Sequence, residues 1–329
     1  MTSTRTSLSA VRSRRNVLLA GAGLAGLLLA GCGSSNALSS SAAPGGAGSS
    51  SGSGSAANKT LTVGGANFTE MSVVEQLYGQ LLAKNGYTIT YKQVDNREIY
   101  EPALEKGDID VVPDYAATLA NFISKKSGGN GDIATADAAA TVQAMQPLLA
   151  KVGITALTPS PAKDANAFAV TKEYAQANNL KTLSDLGKLG KPVTLAATTE
   201  CPDRPFCQPG LEKTYGLKIA KVLPLGFGSP QAKKAVTSGQ AQLVLTGTTD
   251  ATLDQLGLVV LQDDKGLQLA DNIVPIVSKD ANTPEVKALL DKLSAALTTE
   301  DLTALNAKVD AERQTPEQVA KDYLASKGL

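Results

Sequence analysis

The chain has 329 residues, 43% of them hydrophobic, with 31 basic against 31 acidic side chains and no histidine. That length and apolar content accommodate two domains with real cores and exclude a disordered tail. Setting aside Arg5, Arg12, Arg14 and Arg15 leaves a net charge of about −4 with only Arg97, Arg204 and Arg313 as arginines, which argues against a nucleic-acid surface.

Those four arginines precede the apolar run "NVLLAGAGLAGLLLAGC", with no acidic residue before Cys32. Basic start, short Gly/Ala-rich apolar stretch and small residues are the layout of a secretory signal and too short for a permanent span. "LAGC" at 29–32 resembles the lipobox of bacterial lipoproteins, which implies a signal peptide over 1–31 and lipidation of Cys32. "SRRNVLL" at 13–19 is also similar to a twin-arginine export signal, with Val17 where Phe is more typical. A plain signal peptide with an incidental cysteine is the alternative. Residues 32–58 are almost entirely Ser, Gly and Ala after the cysteine, a composition that buries too little surface to fold and reads as a flexible tether.

From Thr60 strands and helices alternate. "TLTVGG" reads as a strand; "EMSVVEQLYGQLLAKNG" carries Met71, Val74, Leu77 and Leu81 at helical spacing and stops at Asn85-Gly86. "YTITYKQV" alternates as a strand, "REIYEPALEKG" fits a helix ending at Gly107, and "IDVV" is a third strand, ending in the turn-like Pro113, Asp114 and Tyr115. This βαβαβ order predicts a largely parallel sheet with helices on its faces. After "ALTPSPAKDANAFAVT" the grammar repeats: "PVTLAA", "GLEKTYG", "AKVLPLG", "SPQAKKAVTSG" and "AQLVLTG". The last part, "TPEVKALLDKLSAALTTEDLTALNAKV" and "TPEQVAKDYLASKG", reads as helical throughout, each segment opened by Thr-Pro. "ALEKGDIDVVPDY" (103–115) and "AVTSGQAQLVLTG" (235–247) match in length and plan, which sets Tyr115 opposite Gly247.

Ligands of open α/β sheets bind beyond the carboxyl ends of the strands. That edge receives Asn67, Phe68 and Thr69 from the first strand and Asp114, Tyr115 and Thr118 from the third. Asp114 and Thr69 read equally as helix N-caps, whereas for Tyr115 the ligand role is preferred over packing a helix onto the sheet. Of three cysteines, Cys201 and Cys207 in "ECPDRPFCQPG" predict a local disulfide in an exported chain; half a metal site is the alternative and lacks further soft ligands. Catalytic machinery is missing: there is no histidine base, nucleophile elbow or P-loop, and the Asp108/Asp110 pair is unspecific. The chain is therefore expected not to be an enzyme, nor to need a cofactor or metal.

"GGANFTEMSVVEQLYGQLLAKNGYTI", "REIYEPALEKGDIDVVPDYAATL", "LTPSPAKDANAFAVTKEYA" and "YLASKGL" resemble, in that order, the substrate-binding proteins of osmoprotectant ABC importers, the ProX- and YehZ-like members of the OpuAC superfamily. The similarity spans roughly residues 60–329. It implies a two-lobed type II periplasmic-binding-protein fold, α/β in each lobe, with the ligand cleft at the hinge. Lobe I would comprise 59–162 plus 271–329 and lobe II 163–270. It also implies a monomeric receptor for a small-molecule solute, a quaternary amine such as glycine betaine, choline or carnitine taken up under osmotic stress. The receptor would serve permease and ATPase subunits from the outer face of the cell membrane.

Members that bind quaternary ammonium surround it with tyrosine faces and fix a carboxylate with Arg or Lys. By that likeness the site is Asn67, Phe68, Thr69, Tyr115, Thr118, Asn166, Arg204 and Thr246, with Tyr115 a cage face and Arg204 an anion partner. Asn67 stands where a Lys is common, Asn166 where an aromatic is expected and Gly247 where a Tyr is expected. Losing two faces would weaken a quaternary amine by ~2–4 kcal/mol unless Phe68 or Phe206 substitutes. The alternatives that follow are a larger or uncharged solute in the space left at Asn166 and Gly247, and a surface lipoprotein without a transport role.

Overall fold

The computed structural model describes residues 59–329, whose strand–helix alternation builds two sheets of one plan. The first segment runs β1 (Thr60–Ala66), α1 (Thr69–Lys84), β2 (Thr88–Val94), α2 (Arg97–Lys106), β3 (Val111–Tyr115), α3 (Ala116–Lys126), α4 (Ala138–Lys151) and β4 (Ile154–Ala156). The second runs β5 (Asn166–Thr171), α5 (Lys172–Ala177), α6 (Leu183–Lys188), β6 (Pro192–Ala197), α7 (Gln208–Tyr215), β7 (Lys218–Pro224), α8 (Pro230–Thr237), β8 (Leu243–Gly247) and β9 (Leu258–Val260). The chain then returns through β10 (Ile273–Ser278), α9 (Pro284–Ala296), α10 (Thr299–Asp310) and α11 (Pro316–Lys327). The signal peptide, Cys32 and the tether expected from the sequence lie outside the described residues.

Sheet order is β2-β1-β3-β10-β4 in one and β7-β6-β8-β5-β9 in the other. Each holds three parallel strands, the product of βαβ crossovers, extended by two antiparallel pairings. The antiparallel members are the crossing strands: β10 enters the first sheet after the second is complete, and β5 enters the second directly from the first. β3 and β8 take equivalent places, so Tyr115 and Gly247 are each the last residue of a third strand.

The third strand does not stop at Val112. β3 continues through Pro113 and Asp114 to Tyr115, with Pro113 facing Pro275 of β10. Two residues without an N–H oppose one another, so proline is tolerated inside the sheet. α1 buries the apolar stripe read from its spacing, packing Val74, Leu77 and Leu81 with Leu290, Leu302 and Val319 of the C-terminal helices. Thr283 and Thr315 cap α9 and α11, each accepting the N–H three residues on, with proline at the first helical position. Each such cap stabilises by about 1 kcal/mol. A capping box between Thr298 and Asp301 breaks the intervening helical run into α9 and α10. No helix among the described residues is long and apolar enough to cross a membrane.

Candidate functional site

The carboxyl ends of β1 and β3 in one sheet, and of β6 and β7 in the other, open onto a shared cleft of about 810 Å³. Six of the residues singled out in the sequence line it: Asn67, Phe68, Tyr115, Thr118, Asn166 and Arg204. Thr69 and Thr246 do not. The Thr69 hydroxyl donates to Asp310 at 2.7 Å, and Thr246, fully buried, donates to Asp250 at 2.6 Å. Each carboxylate draws its hydroxyl away from the cleft.

The walls are aromatic. Four of the five phenylalanines, Phe68, Phe122, Phe206 and Phe227, line the cleft beside Tyr100 and Tyr115. Phe68 stacks on Tyr115 with centroids 6.3 Å apart and meets Phe227 of the opposite sheet at 5.2 Å, so one aromatic surface spans both sheets. Phe227 escapes sequence reading because it sits in a short loop, although the flanking Gly226 and Gly228, both at positive φ, mark that loop as one built to expose a residue. Phe122 and Tyr100 lie inside helices and carry no local signal.

Asp114 is neither a helix cap nor free for a ligand. The Arg97 guanidinium grips its carboxylate, Nε at 3.1 and 3.2 Å and Nη2 at 2.5 Å, and the Tyr100 hydroxyl adds a bond of 2.8 Å. The N-cap of α3 is Tyr115, and that of α1 is Phe68. Arg97 in turn lines the cleft and donates to the Thr118 hydroxyl at 2.8 Å. Asp271 receives the Thr118 N–H at 2.9 Å at the N-terminus of α3. Burial pushes the Asp271 carboxyl up to about 6, against the pull of that N–H and of Arg97.

Across the mouth Arg204 forms a two-pronged bond to Glu98, at 3.0 and 2.9 Å, with Glu200 at 3.9 Å. Its guanidinium also lies over the Phe122 ring, 5.8 Å from the centroid. With Glu98 41% exposed, this ion pair contributes about 1 kcal/mol or less. The loop bearing Arg204 is closed by the Cys201–Cys207 disulfide.

Gly247 does not open space for a solute, contrary to the expectation from sequence. A Cβ there would stand 2.4 Å from an Asp164 carboxylate oxygen, and Gly247 is absent from the cleft lining. Asp164 is held in place by the Thr249 N–H at 3.0 Å and the Thr248 hydroxyl at 3.1 Å. Behind it Glu70 accepts from the hydroxyls of Tyr115 at 2.9 Å and Thr249 at 2.6 Å, and from the Asn306 amide at 2.7 Å. Burial raises both acids, and for Asp164 the neighbouring Glu70 adds to the shift. Gly247→Ala is expected to destabilise the protein by about 1–3 kcal/mol through overpacking, measured by urea unfolding; a change within ~0.5 kcal/mol would show that Asp164 yields freely.

Two α/β lobes of one plan sharing an aromatic cleft between the carboxyl edges of their sheets define a solute-binding protein of the type II periplasmic class. Residues 59–326 match the family described as the substrate binding domain of ABC-type glycine betaine transport systems, and the chain belongs to that family. It is 29% identical to the glycine-betaine-binding protein of Pseudomonas aeruginosa over 82% of this chain and 88% of that one. The glycine betaine-binding protein YehZ of Escherichia coli is 28% identical, over 83% and 92%. The apo structure of YehZ from E. coli superposes with a TM-score of 0.56 at 26% identity, covering 82% of this chain and 99% of that one. Lactococcal OpuAC in its closed, glycine betaine-bound conformation, at 17% identity and a TM-score of 0.58, shares the fold. Members of the family are transport components that bind small-molecule solutes and work with permease and ATPase subunits, not enzymes.

Proposed function

We propose that the protein is an extracytoplasmic receptor, tethered as a monomer to the outer face of the membrane through lipidated Cys32, that delivers a quaternary ammonium osmoprotectant to an ABC importer. The lobes in this reading are 59–162 with 271–329, and 163–270, and they close over the solute by hinge motion. The observation that carries it is the aromatic surface of Phe68, Tyr115 and Phe227, contributed by both sheets. Aromatic faces attract a desolvated ammonium by ~1–2 kcal/mol each. The names of the relatives, glycine-betaine-binding proteins, support the same solute class.

Thermal shift against glycine betaine, choline, carnitine, amino acids and uncharged ring compounds tests this directly, since a solute at 100 times its Kd adds about 2.7 kcal/mol of stability. A trimethylammonium compound is expected to raise the melting temperature. Tyr115→Ala and Phe227→Ala are each expected to weaken its binding by about 5- to 30-fold. Shifts confined to uncharged compounds, or unchanged affinity in both variants, would discard the reading.

A further inference from the structure

We propose that the buried ion pair of Lys233 and Asp250 is a positioning device for the site: with Thr246 it fixes the turn that presents Phe227, so solute affinity depends on two charged residues outside the cleft lining. This rests on the aromatic surface of the reading above and extends it to the residues behind that surface.

Phe227 stands in the middle of the turn that joins β7 to α8. The turn is tied to two strands: the N–H groups of Leu225 and Gly226 donate to the Ala197 carbonyl of β6 at 2.9 and 3.1 Å, and the Gly228 N–H donates to the Leu245 carbonyl of β8 at 3.0 Å. Beyond these bonds it leans on Thr246. A Cβ on Gly228 would stand 2.8 Å from the Thr246 hydroxyl oxygen, so the main chain lies directly against that group. The hydroxyl is in turn held by Asp250 at 2.6 Å. Asp250 also accepts from the Lys233 ammonium at 2.6 Å and from the Thr252 hydroxyl and N–H at 2.7 and 3.0 Å. Lys233 belongs to α8, whose first turn is capped by Ser229: its hydroxyl accepts from the Ala232 N–H and its carbonyl from the Lys233 N–H, both at 3.0 Å. The ion pair therefore closes a ring that runs from the turn through β8, Asp250 and Lys233 back along α8 to the turn.

Stability alone does not account for a pair this deep. The two side chains are 6% and 7% exposed, and the cost of desolvating both charges offsets most of their attraction. Apolar residues of similar volume would serve stability as well; what the pair supplies is one defined geometry. Burial opposes ionisation of Asp250, yet Lys233 and the hydroxyls of Thr246 and Thr252 hold its carboxyl below the ordinary value, so it stays ionised at neutral pH. Packing does not hold the turn from the other side. Phe227, Gly228, Lys233 and Asp250 border a cavity of about 40 Å³ shared with Asn306 and Asp310 of α10, which leaves the turn room to shift. Phe227 meets Phe68 of the opposite sheet at 5.2 Å, and a binding surface of this kind has to be placed to within about 0.5 Å. The polar ring meets that requirement where packing does not.

Calorimetric titration of the full chain with glycine betaine and choline, paired with thermal unfolding, tests this. Lys233→Met/Asp250→Leu removes both charges together and leaves neither unpaired. It is expected to unfold cooperatively within about 5 °C of the parent and to bind at least about fivefold more weakly. Made in a Phe227→Ala background, the same double change is expected to alter affinity by less than about twofold, because the face it displaces is gone. Thr246→Val takes away only the hydroxyl between Asp250 and the turn. It is expected to weaken binding at least about threefold, again only while Phe227 is present, and it decides the question if the double variant does not fold. Parent-like affinity in these variants, or an equal loss with and without Phe227, makes the pair merely structural and overturns the inference while leaving the quaternary ammonium reading intact. Failure of the parent to bind either solute overturns that reading and this inference with it.

Discussion

Arg97→Met is expected to destabilise the protein by about 3–5 kcal/mol, more than any single change at the rim of the cleft. Arg97 and Asp114 are 6% and 1% exposed, and the guanidinium supplies three of the hydrogen bonds to that carboxylate. Methionine fills similar volume and leaves Asp114 with only the Tyr100 hydroxyl and the Tyr115 N–H. The loss reflects an abandoned charge, not a missing contact. The double variant Arg97→Met/Asp114→Asn is accordingly expected to be more stable than Arg97→Met alone, with a coupling of at least ~1 kcal/mol in urea unfolding. Additivity of the two single changes to within about 0.5 kcal/mol would refute the pairing as the source of the effect. Because Arg97 also holds the Thr118 hydroxyl in the cleft lining, solute affinity is expected to fall with it.

The ligand-free protein is expected to lose stability as pH rises from about 5.5 to about 8.5, because several buried acids titrate high in the folded state. Burial lifts Glu75 to about 8, opposed only by the Gln93 amide, and lifts Glu101 to about 7 against its bond to Lys126. Burial places Asp271 at about 6 and raises Glu70 and Asp164 as well. Each folded-state value exceeds the unfolded one, so the folded chain holds more protons in this window. The stabilisation is complete below the unfolded values and is lost as pH passes the folded ones. Asp250, lowered through Lys233 despite burial, acts in the opposite sense but only in more acidic solution. A fall in melting temperature of about 5 °C or more across the window is expected, at roughly 2–4 °C per kcal/mol for a chain of this size. Glu75→Gln, outside the cleft, is expected to flatten the alkaline part of the curve. A melting temperature that holds level or climbs toward alkaline pH would mean that these acids are solvated in solution.

The βαβαβ order of β1 to β3 and its repeat from β6 to β8 were legible from periodicity, and so was the edge that opens onto the cleft, whereas β4, β5, β9, β10 and α3 to α6 were not read. Tyr115 ends a third strand, and the rule that ligands sit beyond carboxyl ends places it in the cleft without reference to packing. Thr-Pro marks two helix starts because capping and a fixed φ are properties of neighbouring residues. Thr69 and Asp114 exposed the limit of such local reasoning: both suit an N-cap, yet their partners, Asp310 and Arg97, come from other elements of the chain.

The sequence by itself determined a two-part α/β grammar, an aromatic residue at one binding edge and a glycine at the equivalent place in the other half. Only the tertiary structure decided what that glycine means and which aromatic faces line the cleft. Asp164, from the crossing segment, occupies the direction a side chain at Gly247 would take. Phe122, Phe206 and Phe227 converge with Phe68 and Tyr115 from loops and helices far apart in the chain. Whether each arginine of the cleft is free or neutralised was likewise settled by long-range pairing. The physical reason is that periodicity records which face of an element is buried, whereas a cleft is made where separate elements meet, and the charges left available there depend on partners that no local pattern specifies.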